Sequence, residues 1–320
     1  MINRMNIELG RDLFKTVAVL VFLSFLFFIP PLGIFVNIIW PIPIVYLIMK
    51  QDINQSLKVI LLTALLNTLI LGVLLGINFG IFMGFYTVVG FGLVGFFLGS
   101  GLKERFSPRK TLILTIIAFL ISSIIILVSI PYMFDINYHQ FLQEYLQETF
   151  RLFEESPLSG EMGALLSPEM MITVIKTLYP SFLLITSIVA GTLTYYLSIW
   201  YLKRKEIPIE SYKPIKNWSF PPLKLSLGII ITMALIIVFK YGQSGKVQEI
   251  LSIFSSNMLI VLMFLVFIQG FAVCINYLSR LNFNSILIYV LFAFVSLLFY
   301  HLIIVIGLVD LWFNIRKNKT

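Results

Sequence analysis

The residues of this 320-residue chain that could bind or react with another molecule are polar side chains inside long apolar runs. An amide, phenol or imidazole placed in hydrocarbon must find a hydrogen-bond partner, so each should face another helix or a wet cavity. We treat six of them as candidate ligand- or pore-lining groups: Asn37, Trp40, Asn67, Tyr86, Gln269 and His301. Hydrogen bonding between helices is the alternative role for each, and a proton or ligand role is considered first for His301.

Motifs for catalysis, metal binding and nucleotide binding are missing from the sequence. His139 and His301 lie far apart, and no G-x-x-x-x-G-K-[ST] segment occurs. Cys274 is the only cysteine, which excludes an intrachain disulfide. A literal G-x-G-x-x-G at residues 90–95 lies in a continuous apolar stretch, where it favours close helix packing over a nucleotide site. We therefore expect no enzyme activity, no bound metal and no cofactor.

Composition restricts the class of protein. Hydrophobic residues make up 59% of the chain and charged residues 12%, whereas a soluble domain carries roughly 25% charge. The excess of 23 Lys and Arg over 15 Asp and Glu is modest, which argues against nucleic acid as a partner. These values predict an all-α, polytopic transmembrane helix bundle, with the lipid bilayer as its surroundings.

Eight to nine hydrophobic segments are long enough to cross a bilayer, which needs about 20 apolar residues. The weakest is the second, because Pro41 and Pro43 interrupt it. The runs are Leu13–Ile29, Leu32–Met49, Leu57–Ile77, Phe79–Leu102, Thr111–Ile130, Met171–Leu202, Leu223–Phe239, Asn257–Leu278 and Ile286–Val309.

Basic residues in the connections predict the orientation. With the N-terminus in the cytoplasm and nine crossings, sixteen of the 23 Lys and Arg lie inside and seven outside. This places the chain in the cell inner (plasma) membrane as a multi-pass protein. The tail, with Arg316, Lys317 and Lys319, then lies outside, against the rule. Either one of the last three runs fails to cross, or an outer basic tail is tolerated.

An outer segment, residues 131–170, separates the fifth and sixth runs. Apolar residues recur at helical spacing from Tyr138 to Phe153 and acidic ones fill the other face, which predicts an amphipathic helix. We expect a cap over the outer end of the bundle, and a lid over a cavity is the alternative. Ser167 and Pro168 then resemble the start of a long helix that Pro180 should kink.

The end of the chain resembles a known family. Gly307, Asp310 and the Phe313–Lys317 stretch look like the closing G-x-x-D…F-x-[FI]-R-K signature of YybS-type membrane proteins, an uncharacterised bacterial family carrying a domain of unknown function. The resemblance implies a membrane protein and carries no assigned activity.

The first two-thirds also resembles an S-component of energy-coupling factor vitamin transporters. The likeness is one of layout: a first helix after basic residues, a proline-broken segment at residues 40–43, Gly-rich helices, and a basic loop at residues 103–110. It implies a six-helix core over residues 1–205, followed by C-terminal hairpins and a basic tail over 206–320. S-components carry small residues four apart on the first helix, whereas here Phe22 follows Ala18.

Two functions follow from these patterns, and a membrane-embedded enzyme with a site around His301 comes third. The first is binding or transport of a small hydrophobic or vitamin-like molecule in a cavity lined by Asn37, Trp40, Asn67 and Tyr86. The second is a structural or assembly role in the cell envelope, in which the basic loops contact a membrane or cytoplasmic protein partner.

Overall fold

The computed structural model describes residues 2–137, 168–241, 245–280 and 286–316, together with residues 140, 143, 144, 148 and 151. All regular elements in these residues are helices, which confirms the predicted all-α class. The predicted amphipathic helix at residues 138–153 and the cap Ser167 lie outside the described residues, apart from the five single positions above. Within the helices, the structure does not describe the side chains of residues 2–9, 11, 168–171, 240, 241, 246 and 286–289.

Twelve α-helices occupy the described residues, and a π-helix at Thr87–Gly92 and a 3₁₀ turn at Ile215–Asn217 lie between them. In chain order the helices are α1 Ile2–Leu26, α2 Leu32–Ile39, α3 Pro41–Lys50, α4 Ile53–Leu75, α5 Ile77–Tyr86, α6 Leu93–Lys103, α7 Pro108–Phe134, α8 Pro168–Arg204, α9 Pro222–Tyr241, α10 Lys246–Arg280, α11 Ile286–Leu298 and α12 Tyr300–Phe313.

The membrane prediction is confirmed. Seven helical segments in the described part of the chain are long and apolar enough to cross a bilayer, starting with Leu32–Lys50. The segments Val290–Leu298 and Tyr300–Phe313 make an eighth if they are counted together, but they are bent by 98°. The ninth apolar run therefore consists of two short helices, and it is one of the three runs whose crossing the sequence left open.

The chain divides by contacts into two compact units. The first comprises Met1–Glu169 and Thr186–Tyr212, and the second comprises Met170–Ile185 and Lys213–Thr320. Helix α8 contributes to both units, since the division falls within it. The expected division at residues 205 and 206 stays a prediction.

The core of the first unit forms around Trp40 and Phe91, both fully buried, with Leu20, Ile44 and Ile60 beside them. Trp40 keeps helical torsion angles of −56° and −37°, so α2 and α3 follow one another as one span despite the prolines. Proline fits here because it stands at the first position of α3, where no backbone donor is needed.

Glycines let the helices of the first unit approach closely. A Cβ on Gly95 would lie 2.9 Å from Ile44 Cβ, and one on Gly99 would lie 2.6 Å from Ile48 Cδ1. The glycines at 90–95 therefore act in helix packing, as the apolar context indicated.

In the second unit, Asn257 repairs the helix interruption that Pro180 causes. Asn257 Nδ2 donates to Thr177 O at 2.6 Å, and Ser181 N donates to Asn257 Oδ1 at 2.8 Å. These two backbone groups would bond each other in an uninterrupted α-helix. The amide of α10 thus bridges the break in α8, next to the proline that the sequence singled out.

Candidate functional site

Four of the six candidate residues lie together in the first unit. Asn37 and Trp40 are three residues apart at the α2–α3 joint, Asn67 lies within α4, and Tyr86 ends α5. Trp40 and Asn67 are fully buried, whereas Asn37 and Tyr86 are half-buried. The site therefore has a buried end and a more open end.

Asn67 is at the centre of a hydrogen-bond network among helices. Its Nδ2 donates to Ser24 Oγ at 2.9 Å and to Thr87 Oγ1 at 2.8 Å. Trp40 Nε1 donates to the same Ser24 Oγ at 3.2 Å and to Leu20 O at 3.1 Å. The network joins α1, the α2–α3 joint, α4 and the π-helix without a charged group.

The hydroxyl protons fix the orientation of the Asn67 amide. Ser24 Oγ donates to Leu20 O at 2.9 Å, and Thr87 Oγ1 donates to Met83 O at 2.7 Å. Each hydroxyl has one proton, so both can only accept from Asn67, and the NH₂ group must face them. The Oδ1 atom then points the other way, where it is buried and meets no donor among the described residues.

An unpaired buried oxygen is costly. Leaving such an acceptor without a partner costs about 1–3 kcal/mol, and a group of this kind in a native fold needs an explanation. In a membrane helix the penalty is not relieved by bulk water. Asn67 Oδ1 is thus a buried acceptor that no donor among the described residues satisfies.

Aromatic rings surround this polar centre. The Phe91 ring stacks on Trp40 with centroids 4.8 Å apart and meets Tyr86 edge-on at 4.9 Å. Phe27 touches both Tyr86 and Phe91, with centroids 5.2 and 5.7 Å apart. At the open end, Tyr86 OH donates to Asn37 Oδ1 at 2.9 Å. The surroundings of the polar centre are therefore aromatic and closely packed.

The π-helix carries two of these side chains. Thr87 and Phe91 both lie in its single stretch, Thr87–Gly92, between α5 and α6. Short π-helices inside α-helices occur frequently at functional sites. Sequence reasoning did not identify Ser24, Thr87 or Phe91; for Ser24 and Thr87 the available signal was a small hydroxyl residue inside an apolar run, and Phe91 gave none.

Gln269 lies in the second unit and has different partners. Its Nε2 donates to Asp310 Oδ2 at 2.6 Å, and its Oε1 accepts from Phe220 N at 3.0 Å. Asp310 was noted only as part of the tail signature, although it stands one residue after the last apolar run. It is 2% exposed, and its Oδ1 is buried with no partner among the described residues.

His301 also belongs to the second unit. It is the second residue of α12, its side chain is exposed, and its ring centroid lies 3.7 Å from that of Tyr300. Among the residues that the structure describes, no three His, Cys, Asp or Glu side chains are grouped as metal ligands would be.

Comparison with known proteins gives a family and one distant relative. The chain is 26% identical over 152 residues to "Uncharacterized protein YybS" of Bacillus subtilis (strain 168). That match spans about half of both proteins, 47% of this chain and 47% of the relative. No solved structure matches the chain. The family described as "Predicted membrane protein (DUF2232)" matches residues 16–311, nearly the whole chain, and the protein belongs to this family of membrane proteins.

Proposed function

We propose that this membrane protein is a non-enzymatic binder of a small, largely apolar molecule that carries one N–H or O–H donor. The observation that supports it best is the buried Asn67 Oδ1, which lacks a partner in the part of the chain that the structure describes. A ligand donor would satisfy this oxygen and remove the penalty of leaving it unpaired.

The aromatic rings would supply most of the binding free energy. Trp40, Tyr86 and Phe91 offer large apolar faces, and such faces favour offset or edge-to-face contact with a flat ligand. Because Phe91 is fully buried at the centre, its ring must move when a ligand enters. The π-helix offers a route for that movement, since a change to α-helical bonding at Thr87–Gly92 would rotate the ring.

The half-buried Tyr86–Asn37 pair is the proposed entrance. Their 2.9 Å hydrogen bond closes the open end of the site, and the ligand would replace it. The choice of a vitamin-like ligand rests on the resemblance in layout to S-components that the sequence suggested. We extend the proposal to the plasma membrane, with a cytoplasmic N-terminus, on the distribution of Lys and Arg.

Ligand binding by the purified full-length protein tests this proposal. Native mass spectrometry should find a small molecule that co-purifies with the protein. A panel of vitamins and phenols should contain members that raise the thermal unfolding midpoint. Asn67→Leu should lose both effects because it removes Oδ1.

Thr63→Val is the matched control. Thr63 is buried one turn earlier on α4, and its hydroxyl donates only to Val59 O of its own helix. The control should bind as the wild type does. Equal binding by Asn67→Leu, or a wild type with neither co-purified molecule nor response to the panel, would contradict the proposal. If binding is absent and a second protein co-purifies in a stoichiometric amount, the structural or assembly role in the cell envelope is favoured.

A further inference from the structure

The two ends of the last hydrophobic region meet in the second unit. Arg280 is the last residue of α10, and Arg316 follows α12. The Arg280 Nη2 atom donates to Arg316 O at 3.2 Å. The chain therefore leaves the end of α10 and returns to it.

A buried ion pair holds the returning end. Arg316 Nη2 lies 2.9 Å from Asp310 Oδ2, and the two side chains are 9% and 0% exposed. Arg316 Nη1 donates to Lys216 O at 3.0 Å. Lys216 lies in the connection that precedes α9, so this connection, the end of α10 and the tail share one end of the unit.

Neither helix between the two ends is long enough to cross a bilayer alone. Helices α11 and α12 have 13 and 14 residues, or about 20 Å each at 1.5 Å per residue, against a hydrocarbon core of about 30 Å. They are bent by 98° at a break beside Phe299. Phe299 N donates to Val295 O and Phe299 O accepts from Leu302 N, each at 3.0 Å, so the break keeps its backbone bonds.

We infer that α11 and α12 form a re-entrant hairpin that returns Arg316 to the face of the 213–224 connection, where Lys213, Lys224 and Arg280 bind anionic phospholipid headgroups of the cytoplasmic leaflet. The first part follows from the contacts of Arg280 and Arg316. It also reduces the conflict with the positive-inside rule, because Arg316 then joins the sixteen basic residues that the charge count assigns to the inner side.

Charge complementarity supports the second part. Lys213 and Lys224 at the two ends of this connection and Arg280 at the end of α10 are exposed. Residues 211–224 and 314–320 contain no Asp or Glu, and Asp310 is paired with Arg316. A cationic surface at a membrane interface attracts phosphate headgroups, by about fivefold in affinity for each Lys or Arg.

Cysteine labelling tests the hairpin. In a Cys274→Ala background, Lys319→Cys and Asn217→Cys should react with a membrane-impermeant maleimide from the same side of oriented vesicles. Gly245→Cys, between α9 and α10, should react from the opposite side. If Lys319→Cys and Gly245→Cys react from the same side of the vesicles, the inference is overturned.

Lipid binding tests the surface. The full-length protein in nanodiscs of mixed phosphatidylglycerol and phosphatidylcholine should retain phosphatidylglycerol in native mass spectrometry. The variant with Gln at 213 and 224 should lose that preference, by about fivefold for each lysine. A variant with Gln at 58 and 205 is the charge-matched control. An equal loss in both variants, or no loss in the first, would overturn the lipid surface.

Discussion

Asp310 and Arg316 form an ion pair of 2.9 Å in which the carboxylate is fully buried and the guanidinium is 9% exposed. The pair lies six residues apart across the end of α12, where Asn314 adopts a left-handed conformation with φ of 45°. This turn lets Arg316 fold back onto Asp310. Gln269 supplies a second hydrogen bond to the same oxygen, so the tail is attached to α10 as well as to α12.

Removing one member of this pair should destabilise the protein strongly. Arg316→Gln leaves the Asp310 charge uncompensated, and the loss of one partner of a buried pair costs about 3–5 kcal/mol. Asp310→Asn combined with Arg316→Gln should cost less than the sum of the single changes. Unfolding of the four proteins in mild detergent measures this. Additive losses would show that the pair contributes no coupling.

Ser24→Ala should weaken the first unit by about 1–3 kcal/mol, because one N–H of Asn67 loses its acceptor in a buried position. Trp40 Nε1 keeps Leu20 O, which limits the effect on the indole. Ser296→Ala serves as control, since the Ser296 hydroxyl is also buried but donates only to Phe292 O of its own helix. Thermal unfolding midpoints should fall for Ser24→Ala alone. Equal falls in the midpoints of the two variants would mean that the network between helices adds nothing to the stability of the protein.

The Asn257 bridge predicts a rescue. Asn257→Ala leaves Ser181 N and Thr177 O of α8 without their side-chain partners, at about 1–3 kcal/mol for each unsatisfied group. Pro180→Ala in the Asn257→Ala background should recover part of that loss, because α8 can then form its own hydrogen bonds. Chemical unfolding of the single and double variants tests the rescue. A double variant less stable than Asn257→Ala would contradict it.

Gly270 and Gly307 should not tolerate a side chain. A Cβ on Gly270 would clash with the backbone oxygen of Ile303, and a Cβ on Gly307 would clash with that of Val266. Gly228 is the control, because a Cβ there would lie 3.5 Å from Leu262 Cδ1. Alanine is the better helix former by about 1 kcal/mol, so Gly228→Ala should be neutral or stabilising. Alanine at 270 or 307 should lower the unfolding midpoint; an unchanged midpoint would mean that α10 and α12 can separate without loss.

The sequence was informative wherever a local property decides structure. Apolar length identified helical regions, so each of the nine predicted runs falls in helices, and seven helical segments in the described residues are long and apolar enough to cross a bilayer. Pro168 at the start of α8 follows from the lack of a backbone donor in proline, and Pro180 correctly marked the place where α8 loses its hydrogen bonding. Polar residues in apolar runs likewise identified Asn67 and Gln269, because their hydrogen-bond need is a property of the side chain alone.

Tertiary structure alone decided which of these groups meet. The direction in which Asn67 Oδ1 points depends on hydroxyl protons of Ser24 and Thr87, which are 43 and 20 residues away. The return of the tail depends on Asp310 reaching Arg316 and Gln269, while the last apolar run alone reads as one span of ordinary length. Hydropathy adds up along the chain and is visible in the sequence. Hydrogen bonds between distant residues depend on helix packing, so they become visible only in the folded molecule.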